Sequence, residues 1–413
     1  MALSAAWFHA PRAGSNLTLG AVMLVSSIAP LSGAMILVVL PAVQRDLRAD
    51  TTAAGVLVAG YLVVVAILQP LGGRLGDAKG RARALYLGLG LIIVASVLGA
   101  AAPSYATLLL ARFLQAAGGG LAFPNAMAVI RERFSSDQLG RAMGMVGAIM
   151  VLSGAIAVPL AVALQAAATW RAVFAVSAVQ GFVAAMVMRG RVPRSTPSVR
   201  RSSVADGTGH FIRRPQVIAI AAITATNVAI YALLVGVSLN LGHASRSGGG
   251  DAALLFAFFV GSVLGSPAGG HASDRMGRRR VASFALCAFA IGAVPLAVPG
   301  VAWFVISLLG SLLAGVGAGA ASGALQASTL DGMPASHAGR VSGLASTGRY
   351  LGAAIGSTLA SIGTGHTALG ICVGLAVVPL AATVAAGITV SAQRLRTRRY
   401  APLAATVPGA RVI

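Results

Sequence analysis

A succession of long apolar runs is the feature that most restricts how this chain can fold. Each run approaches or exceeds the roughly 20 residues that an α-helix needs to cross the hydrocarbon core of a bilayer. The runs lack the alternation of β-strands and exceed the roughly 9–11 residues of a membrane barrel strand. The sequence therefore predicts twelve transmembrane helices, at residues 17–41, 52–73, 84–102, 106–130, 141–167, 171–188, 217–241, 252–273, 281–299, 301–326, 341–364 and 367–391.

Composition supports this prediction. The chain is 57% hydrophobic and 10% charged, whereas soluble domains are roughly 45–50% apolar and about 25% charged. Its nine acidic residues all lie in or beside breaks between apolar runs. We therefore predict an all-α integral membrane protein.

One long polar segment, residues 189–216, divides the predicted helices into two groups of six. The predicted organisation is a first six-helix bundle over 1–188, a cytoplasmic linker over 189–216, a second bundle over 217–393 and a cytoplasmic tail over 394–413.

A short sequence occurs twice, once in each predicted bundle. PLGGRLGDAKGRAR at 70–83 and PAGGHASDRMGRRR at 267–280 share seven of fourteen residues at a fixed offset of 197 positions. Such agreement indicates duplication. We therefore expect two pseudo-symmetric halves, each with the same charged turn between its second and third helices.

The basic residues are distributed unevenly between the two sides of the predicted topology. If the N-terminus is cytoplasmic, the inner loops and tails hold 25 of the 31 Lys and Arg residues, and the outer loops hold four. This is the positive-inside bias, and it predicts that both termini are cytoplasmic. The net charge of +22 then reflects topology and attraction to anionic lipid, so we expect no nucleic-acid partner.

The sequence does not favour an enzyme, and it predicts no cofactor or metal. GVGAGAASG at 315–323 only superficially resembles a dinucleotide loop, since it lies within an apolar run. The chain contains no GxxxxGK[ST] phosphate loop. Cys287 and Cys372 have no metal-ligand or redox spacing and are expected to be apolar filling residues.

Several segments resemble the major facilitator superfamily, in particular its drug:proton antiporter (multidrug efflux) branch. GGRLGDAKGRAR resembles the loop between helices 2 and 3, and LLLARFLQAAGGG resembles the helix 4 motif. WRAVF at 170–174 is similar to the entry to helix 6, and GRVSGLASTGRYLGAAIG at 339–356 is similar to helix 11. The resemblance extends over essentially the whole chain.

The resemblance implies that the repeated turn latches the two bundles together on the cytoplasmic side of the outward-facing state. A carboxylate at Asp77 can pair with a guanidinium on a neighbouring helix or with a helix N-terminus. The alternative is a basic loop that only fixes topology. The residues of this predicted gating motif are Gly73, Asp77, Gly80, Arg81 and Arg83 in the first copy and Gly270, Asp274, Gly277 and Arg278 in the second.

Two arginines fall within predicted spans, where an ionisable group is expensive and usually faces a cavity or a partner. The resemblance implies a role in proton coupling for Arg112, with Gln115 beside it. The alternative is that the Arg112 side chain has no coupling role and only extends to the lipid headgroups on the outer side of the membrane. For Arg349 a substrate contact and a structural hydrogen bond to helix-end carbonyls both remain open.

Two departures from the family pattern weaken the prediction of proton antiport. Ser32 stands where the antiporter branch has a helix 1 aspartate, and no acid remains at clear mid-membrane depth. In helix 5 Pro159 is present, but Val158, Val162 and Ala163 stand at expected glycines. Arginine cannot replace the missing acid, because it stays protonated throughout a transport cycle.

Substrate contacts in two-bundle transporters lie near the bilayer midplane, where the halves meet. The predicted cavity residues are Asn125, Asn227, Tyr231, Gln326 and Arg349, and further polar or aromatic residues within spans are Tyr61, Gln69, Ser238 and Asn240. A lone Asn in a span often joins helices instead. The predicted pocket is largely neutral and apolar, which suits a lipophilic compound.

We therefore predict a secondary active transporter that works by alternating access and exports a small lipophilic compound or drug, with proton antiport as one coupling mechanism. The alternatives are an uncoupled facilitator or importer of a small metabolite, and a non-transporting membrane receptor of the same fold. The expected partners are a small-molecule substrate, protons if transport is coupled, and membrane lipid. We expect a monomer in the cell inner (plasma) membrane.

Overall fold

The computed structural model describes residues 13–134, 136–191, 214–244, 250–297, 304–329 and 335–363. These residues form eleven α-helices, and no strand occurs in the described ranges. The helices are α1 (Ala13–Leu47), α2 (Thr51–Lys79), α3 (Arg81–Ala100), α4 (Tyr105–Arg133), α5 (Ser136–Ala167), α6 (Ala172–Met188), α7 (Arg214–Ala244), α8 (Gly250–Met276), α9 (Arg278–Ala293), α10 (Phe304–Ser328) and α11 (Ala335–Gly363).

The prediction of an all-α membrane fold is confirmed. Each of the first eleven predicted spans coincides with a helix, and the twelfth, 367–391, lies outside the described residues. Eight of the described helices are long and apolar enough to cross a membrane. Large apolar side chains such as Val94, Phe284 and Ile362 are more than 60% exposed, as expected of surfaces that face lipid instead of water.

Most helices are longer than the spans predicted for them. For example, α2 continues through the first repeated turn to Lys79, so that Asp77 lies in its last helical turn. In contrast, α9 ends early, at Ala293, and a short 3-10 turn, Val294–Ala297, follows it. Pro295 lies in that turn, and proline lacks the backbone N–H that a continuing helix requires.

The helices pack as two groups with equivalent contacts. In the first group α2 and α3 pack on α4, and α1 packs on α5; in the second, α8 and α9 pack on α10, and α7 packs on α11. Between the groups, α2 packs on α11 and α8 packs on α5. This correspondence fits the predicted duplication, while the exact domain boundaries stay a prediction.

The two copies of the repeated turn have the same backbone conformation. Gly80 has φ 94° and ψ 133°, and Gly277 has φ 87° and ψ 137°. Each glycine is the single residue between two helices, and a positive φ is costly for residues with a Cβ. Repetition of the sequence therefore encodes repetition of a sharp turn.

We call the end of the molecule that carries both turns the basic end, and the other end the opposite end. At the basic end Arg81 contacts Glu132 at the end of α4, and Arg278 donates to the Ala327 carbonyl near the end of α10. At the opposite end Trp170 and Arg171, which precede α6, both donate to Asp46 of α1.

The apolar core differs between these two ends. One cluster of buried residues includes both bundles, with Leu40 and Leu57 from the first and Val235 and Leu255 from the second. Toward the basic end each bundle has a separate cluster, around Leu89 and Ile130 in the first and around Leu286 in the second. Among the described residues, the bundles are therefore joined by a common core at the opposite end and by none at the basic end.

Candidate functional site

A cavity of about 290 Å³ lies between the two bundles. Four helices of each bundle contribute to it, namely α1, α2, α4 and α5 from the first and α7, α8, α10 and α11 from the second. Its volume is close to the lower end of the roughly 300–1,000 Å³ typical of small-molecule sites. A ligand bound there would contact both bundles at once.

The cavity wall is mostly apolar and aromatic. Phe258 and Phe259 of α8 lie edge to face, with ring centroids 5.8 Å apart. Tyr61, Tyr231 and Tyr350 come from three different helices and add hydroxyl groups to this wall. Such a surface suits a ligand with a flat apolar body.

The charged residues of the cavity are two arginines, Arg112 and Arg349. No Asp, Glu or His is among its lining residues, all of which lie in the described ranges. The cavity therefore carries positive charge without an acidic group to balance it.

Arg112 lies deep in the first bundle, with 1% of its surface exposed. Its Nη1 donates to Ser32 Oγ at 3.0 Å and to Gln115 Oε1 at 2.6 Å. Its guanidinium carbon lies 4.1 Å from the centroid of the Tyr61 ring, which is cation–π geometry. Because the side chain is buried against these partners, it does not extend to the outer headgroups.

The neutral partners of Arg112 are themselves held in place. Gln115 donates through Nε2 to Ser96 Oγ at 3.0 Å, and Ser32 donates to Gln115 Oε1 at 3.3 Å. These side chains come from α1, α3 and α4, and all are buried. The network fixes the guanidinium at the cavity wall, but every member apart from Arg112 is uncharged.

Arg349 contacts the cavity from α11, and it donates to Gln326 Oε1 of α10. The sequence left a structural hydrogen bond to helix-end carbonyls open as one alternative; the contact that forms is with a side-chain amide instead. The neighbouring Tyr350 is hydrogen-bonded to Gln69 of α2, across the two bundles. Arg349 is therefore oriented within the second bundle and lies beside a direct contact with the first.

Of the five predicted cavity residues, Tyr231 and Arg349 line the cavity. Asn125 instead donates to the Gly72 carbonyl at 2.9 Å and so joins α4 to α2. Asn227 donates to the Ile223 carbonyl of its own helix. Gln326 is not among the lining residues, but its Oε1 accepts a hydrogen bond from Arg349, which is. Asn125 thus has the helix-joining role that the sequence left open, whereas the described bond of Asn227 stays within α7.

Sequence reasoning missed several residues of the cavity wall. Phe258 and Phe259 had no signal, because phenylalanine is equally expected on a lipid-facing surface. Ser262, Ser266 and Ser322 also line the cavity. Tyr350 directly follows Arg349, and this proximity was the one signal that pointed to it. The side chain of Asn240 is outside the described set.

The repeated turns make their described contacts within a bundle. Arg81 Nη1 lies 2.9 Å from Glu132, and Arg81 Nη2 lies 3.5 Å from Asp77. All three residues belong to the first bundle, and the Asp77 side chain is 66% exposed. A Cβ at Gly73 or at Gly270 would meet nothing within 4 Å. In this conformation the turn therefore joins helices of one bundle, and a latch between bundles stays a prediction.

The other basic residues of the predicted gating motif lie at the starts of α3 and α9. Arg83 is exposed at the start of α3, and Arg278 donates to the Ala327 carbonyl at 3.0 Å. The side chain of Asp274 is outside the described set. Arg81 and Arg278 are equivalent in the repeat, and both connect the third helix of a bundle to the end of its fourth.

Two bundles of corresponding topology around a shared cavity define a class: multi-pass helical membrane proteins built like secondary transporters. The chain belongs to the Major Facilitator Superfamily, whose family model matches residues 22–357. This confirms the family resemblance seen in the sequence.

Known proteins similar to this chain include transporters and a resistance protein. The puromycin resistance protein pur8 of Streptomyces alboniger is 36% identical over 129 residues, which are 31% of this chain and 26% of that protein. A probable actinorhodin transporter of Streptomyces coelicolor is 32% identical over 164 residues, 38% of this chain and 28% of that protein. These matches span little more than a quarter of each relative.

The crystal structure of a peptide transporter, POT, has a similar fold. Its TM-score is 0.71 at 15% identity, and the alignment covers 90% of this chain and 94% of that one. At this identity the similarity concerns the fold alone.

Proposed function

We propose that this chain exports small lipophilic compounds by alternating access. The observation that carries the proposal is the cavity between the bundles, beside which the described residues of both bundles form a common core at the opposite end. A transporter needs a second conformation in which the bundles meet at the basic end. The names of pur8 and the probable actinorhodin transporter support export as the direction.

The basic end is proposed to face the cytoplasm of a cell whose inner membrane holds the protein. Lys79, Arg131, Arg133 and Arg275 lie at this end, as the positive-inside bias requires. In this orientation a compound from the cytoplasm would reach the cavity through the end at which the described residues form two separate apolar clusters. A compound could enter from that side and leave after the bundles exchange contacts.

Proteoliposomes test transport directly. Three lipophilic fluorophores are compared: anionic 8-anilinonaphthalene-1-sulfonate, neutral N-phenyl-1-naphthylamine and cationic ethidium. Faster movement of any one of them than through empty liposomes is the expected result. If none moves faster, the transport proposal fails and a non-transporting receptor is favoured. Accumulation in inside-out membrane vesicles supports export.

A second candidate is an uncoupled facilitator. It is favoured by the lining of the cavity, which contains no Asp, Glu or His. Proton antiport needs a group whose protonation changes during the cycle, and arginine does not supply one. The same liposomes distinguish the two mechanisms. Equal rates with and without an imposed pH gradient favour the facilitator, and accumulation driven by the gradient favours the antiporter.

The repeated turn is proposed to act in the conformational change. Asp77→Asn and Arg81→Ala are expected to lower the transport rate about fivefold or more, since couplings between conformations are typically worth about 1–3 kcal/mol. The amount of protein at the membrane should change less. Arg131→Ala, at an exposed arginine of the same end, is the matched control. Wild-type rates in both Asp77 and Arg81 variants would contradict this role.

A further inference from the structure

We propose that the cavity selects amphiphilic organic anions, with Arg112 and Arg349 binding the anionic group and the aromatic wall binding the apolar body. This inference rests on the proposed transport function and names its substrate class. It differs from the neutral pocket that the sequence predicts, because two guanidinium groups reach the same cavity.

The first argument is the charge of the cavity. Taking an ion out of water costs several kcal/mol unless an opposite charge or strong hydrogen bonds compensate it. Arg112 is 1% exposed, and the ion pairs of the described residues do not include it. A bound anion would supply the missing negative charge, whereas a bound cation would add to the repulsion.

The second argument is an unused hydrogen-bond donor. Arg112 Nε is buried and has no hydrogen-bond partner among the described residues. Nη1 of the same side chain already serves two neutral acceptors. Buried donors in folded proteins are nearly always paired. Nε is therefore a buried donor that a carboxylate, sulfonate or phenolate oxygen would satisfy once a bound ligand displaces the packing around it.

The third argument is the identity of residue 32. By the family resemblance Ser32 occupies the position of an aspartate, and its hydroxyl lies 3.0 Å from Arg112 Nη1. An aspartate there would pair with the guanidinium and neutralise it. Serine keeps the hydrogen bond and leaves the positive charge available. With serine at position 32, Arg112 has no carboxylate partner there and can bind an anionic ligand.

The surroundings of the arginines suit the rest of such a ligand. Tyr231 lines the same cavity as Arg112 and Arg349. Tyr61 and Tyr350 also line the cavity. Phe258 and Phe259 offer aromatic faces. A rigid aromatic acid could bind the arginines through its acidic group and the phenylalanines through its ring.

Binding to the purified full chain in detergent tests the inference. The probes are three naphthalenes that differ in one group: 2-naphthoate is an anion, 2-naphthamide is neutral and 2-naphthylmethylamine is a cation. We expect 2-naphthoate to bind about tenfold or more tightly than the other two, because hydrogen bonds to charged groups exceed neutral ones by that order. Equal affinity for the three probes would overturn the proposal.

Substitutions then assign the preference to the arginines. Arg112→Gln and Arg349→Gln should each weaken 2-naphthoate binding about tenfold to a hundredfold and leave 2-naphthamide binding nearly unchanged. Arg112→Lys keeps the charge and should retain part of the preference. Arg45→Gln removes the same charge at an exposed site outside the cavity and is the matched control. Unchanged anion affinity in both glutamine variants would contradict the assignment.

Ser32→Asp provides a test that does not depend on removing an arginine. The new carboxylate would lie beside Arg112, so that 2-naphthoate binding should fall to the level of the amide and binding of the amine should rise. Wild-type preference in this variant would overturn the role of residue 32. Transport of the neutral or cationic fluorophore without any anion preference would refute this inference and leave the proposed transport function standing.

Discussion

Gly118→Ala is expected to destabilise the first bundle by about 3 kcal/mol, near the top of the range for overpacked cores. A Cβ at Gly118 would lie 2.6 Å from the Gly88 carbonyl oxygen and 2.8 Å from the backbone nitrogen of Ile92. These are backbone atoms of α3, so no side-chain rotation can relieve the contact. The two helices would have to move apart along much of their shared length.

The neighbouring glycine provides a matched control. A Cβ at Gly119 would have Tyr61 Oη as its nearest neighbour, at 3.7 Å, which is an ordinary contact. Since alanine is favoured over glycine within a helix by about 1 kcal/mol, Gly119→Ala should unfold at the wild-type temperature or slightly above it. Thermal unfolding in detergent, with size-exclusion chromatography, measures both variants. Equal unfolding temperatures would mean that α3 and α4 do not approach as closely as described.

The same close approach occurs in the second bundle. A Cβ at Gly317 of α10 would lie 2.4 Å from the Ala285 carbonyl oxygen of α9. Small residues at such positions let transmembrane helices pack backbone to backbone. The pattern of glycines is therefore fixed by packing in each half, independently of the transported compound.

The helices and the repeated turns could be predicted because their causes are local. An apolar run of about 20 residues has few alternatives to a transmembrane helix. The turns at Gly80 and Gly277 have a positive φ. Because glycine adopts this conformation readily, a glycine between two apolar runs already indicates such a turn in the sequence. The repeated segment itself indicated the equivalence of the two halves, which the matching contacts of Arg81 and Arg278 reproduce.

The cavity could not be predicted in the same detail, because apolar residues cover nearly all faces of these helices. Without a polar face, the sequence does not show which side of a helix faces the cavity, a neighbouring helix or lipid. Asn125 and Asn227 were chosen for polarity and instead bond to backbone carbonyls. The contact between Arg112 and Ser32 joins residues 80 positions apart, and only the packing of α1 against α4 creates it.

Gly55→Leu is expected to open the end of the molecule that the common core closes. Gly55 of α2 faces Ser361 of α11, and a Cβ at position 55 would lie 2.1 Å from Ser361 Cβ. No rotamer of leucine removes this first carbon, so the two bundles must separate there. An overpacking cost of about 1–3 kcal/mol would shift a two-state equilibrium about 5- to 150-fold.

Accessibility of Ser238 reports this opening. Ser238 of α7 is 1% exposed, and its hydroxyl donates to the Leu37 carbonyl of α1 across the closed interface. In a background with both native cysteines replaced by serine, Ser238→Cys should react slowly with a bulky polar maleimide. Adding Gly55→Leu should accelerate the reaction about fivefold or more. Gly90→Leu, where a Cβ would meet nothing within 4 Å, is the matched control.

Transport measured on the same variant then separates binding from movement. The cavity wall does not include Gly55, so ligand binding should persist while the transport rate falls about fivefold or more. This combination is expected only if closure at the opposite end is one step of the cycle. If Gly55→Leu reacts and transports like Gly90→Leu, the common core is not a gate, and access to the cavity must alternate by some other movement of the helices.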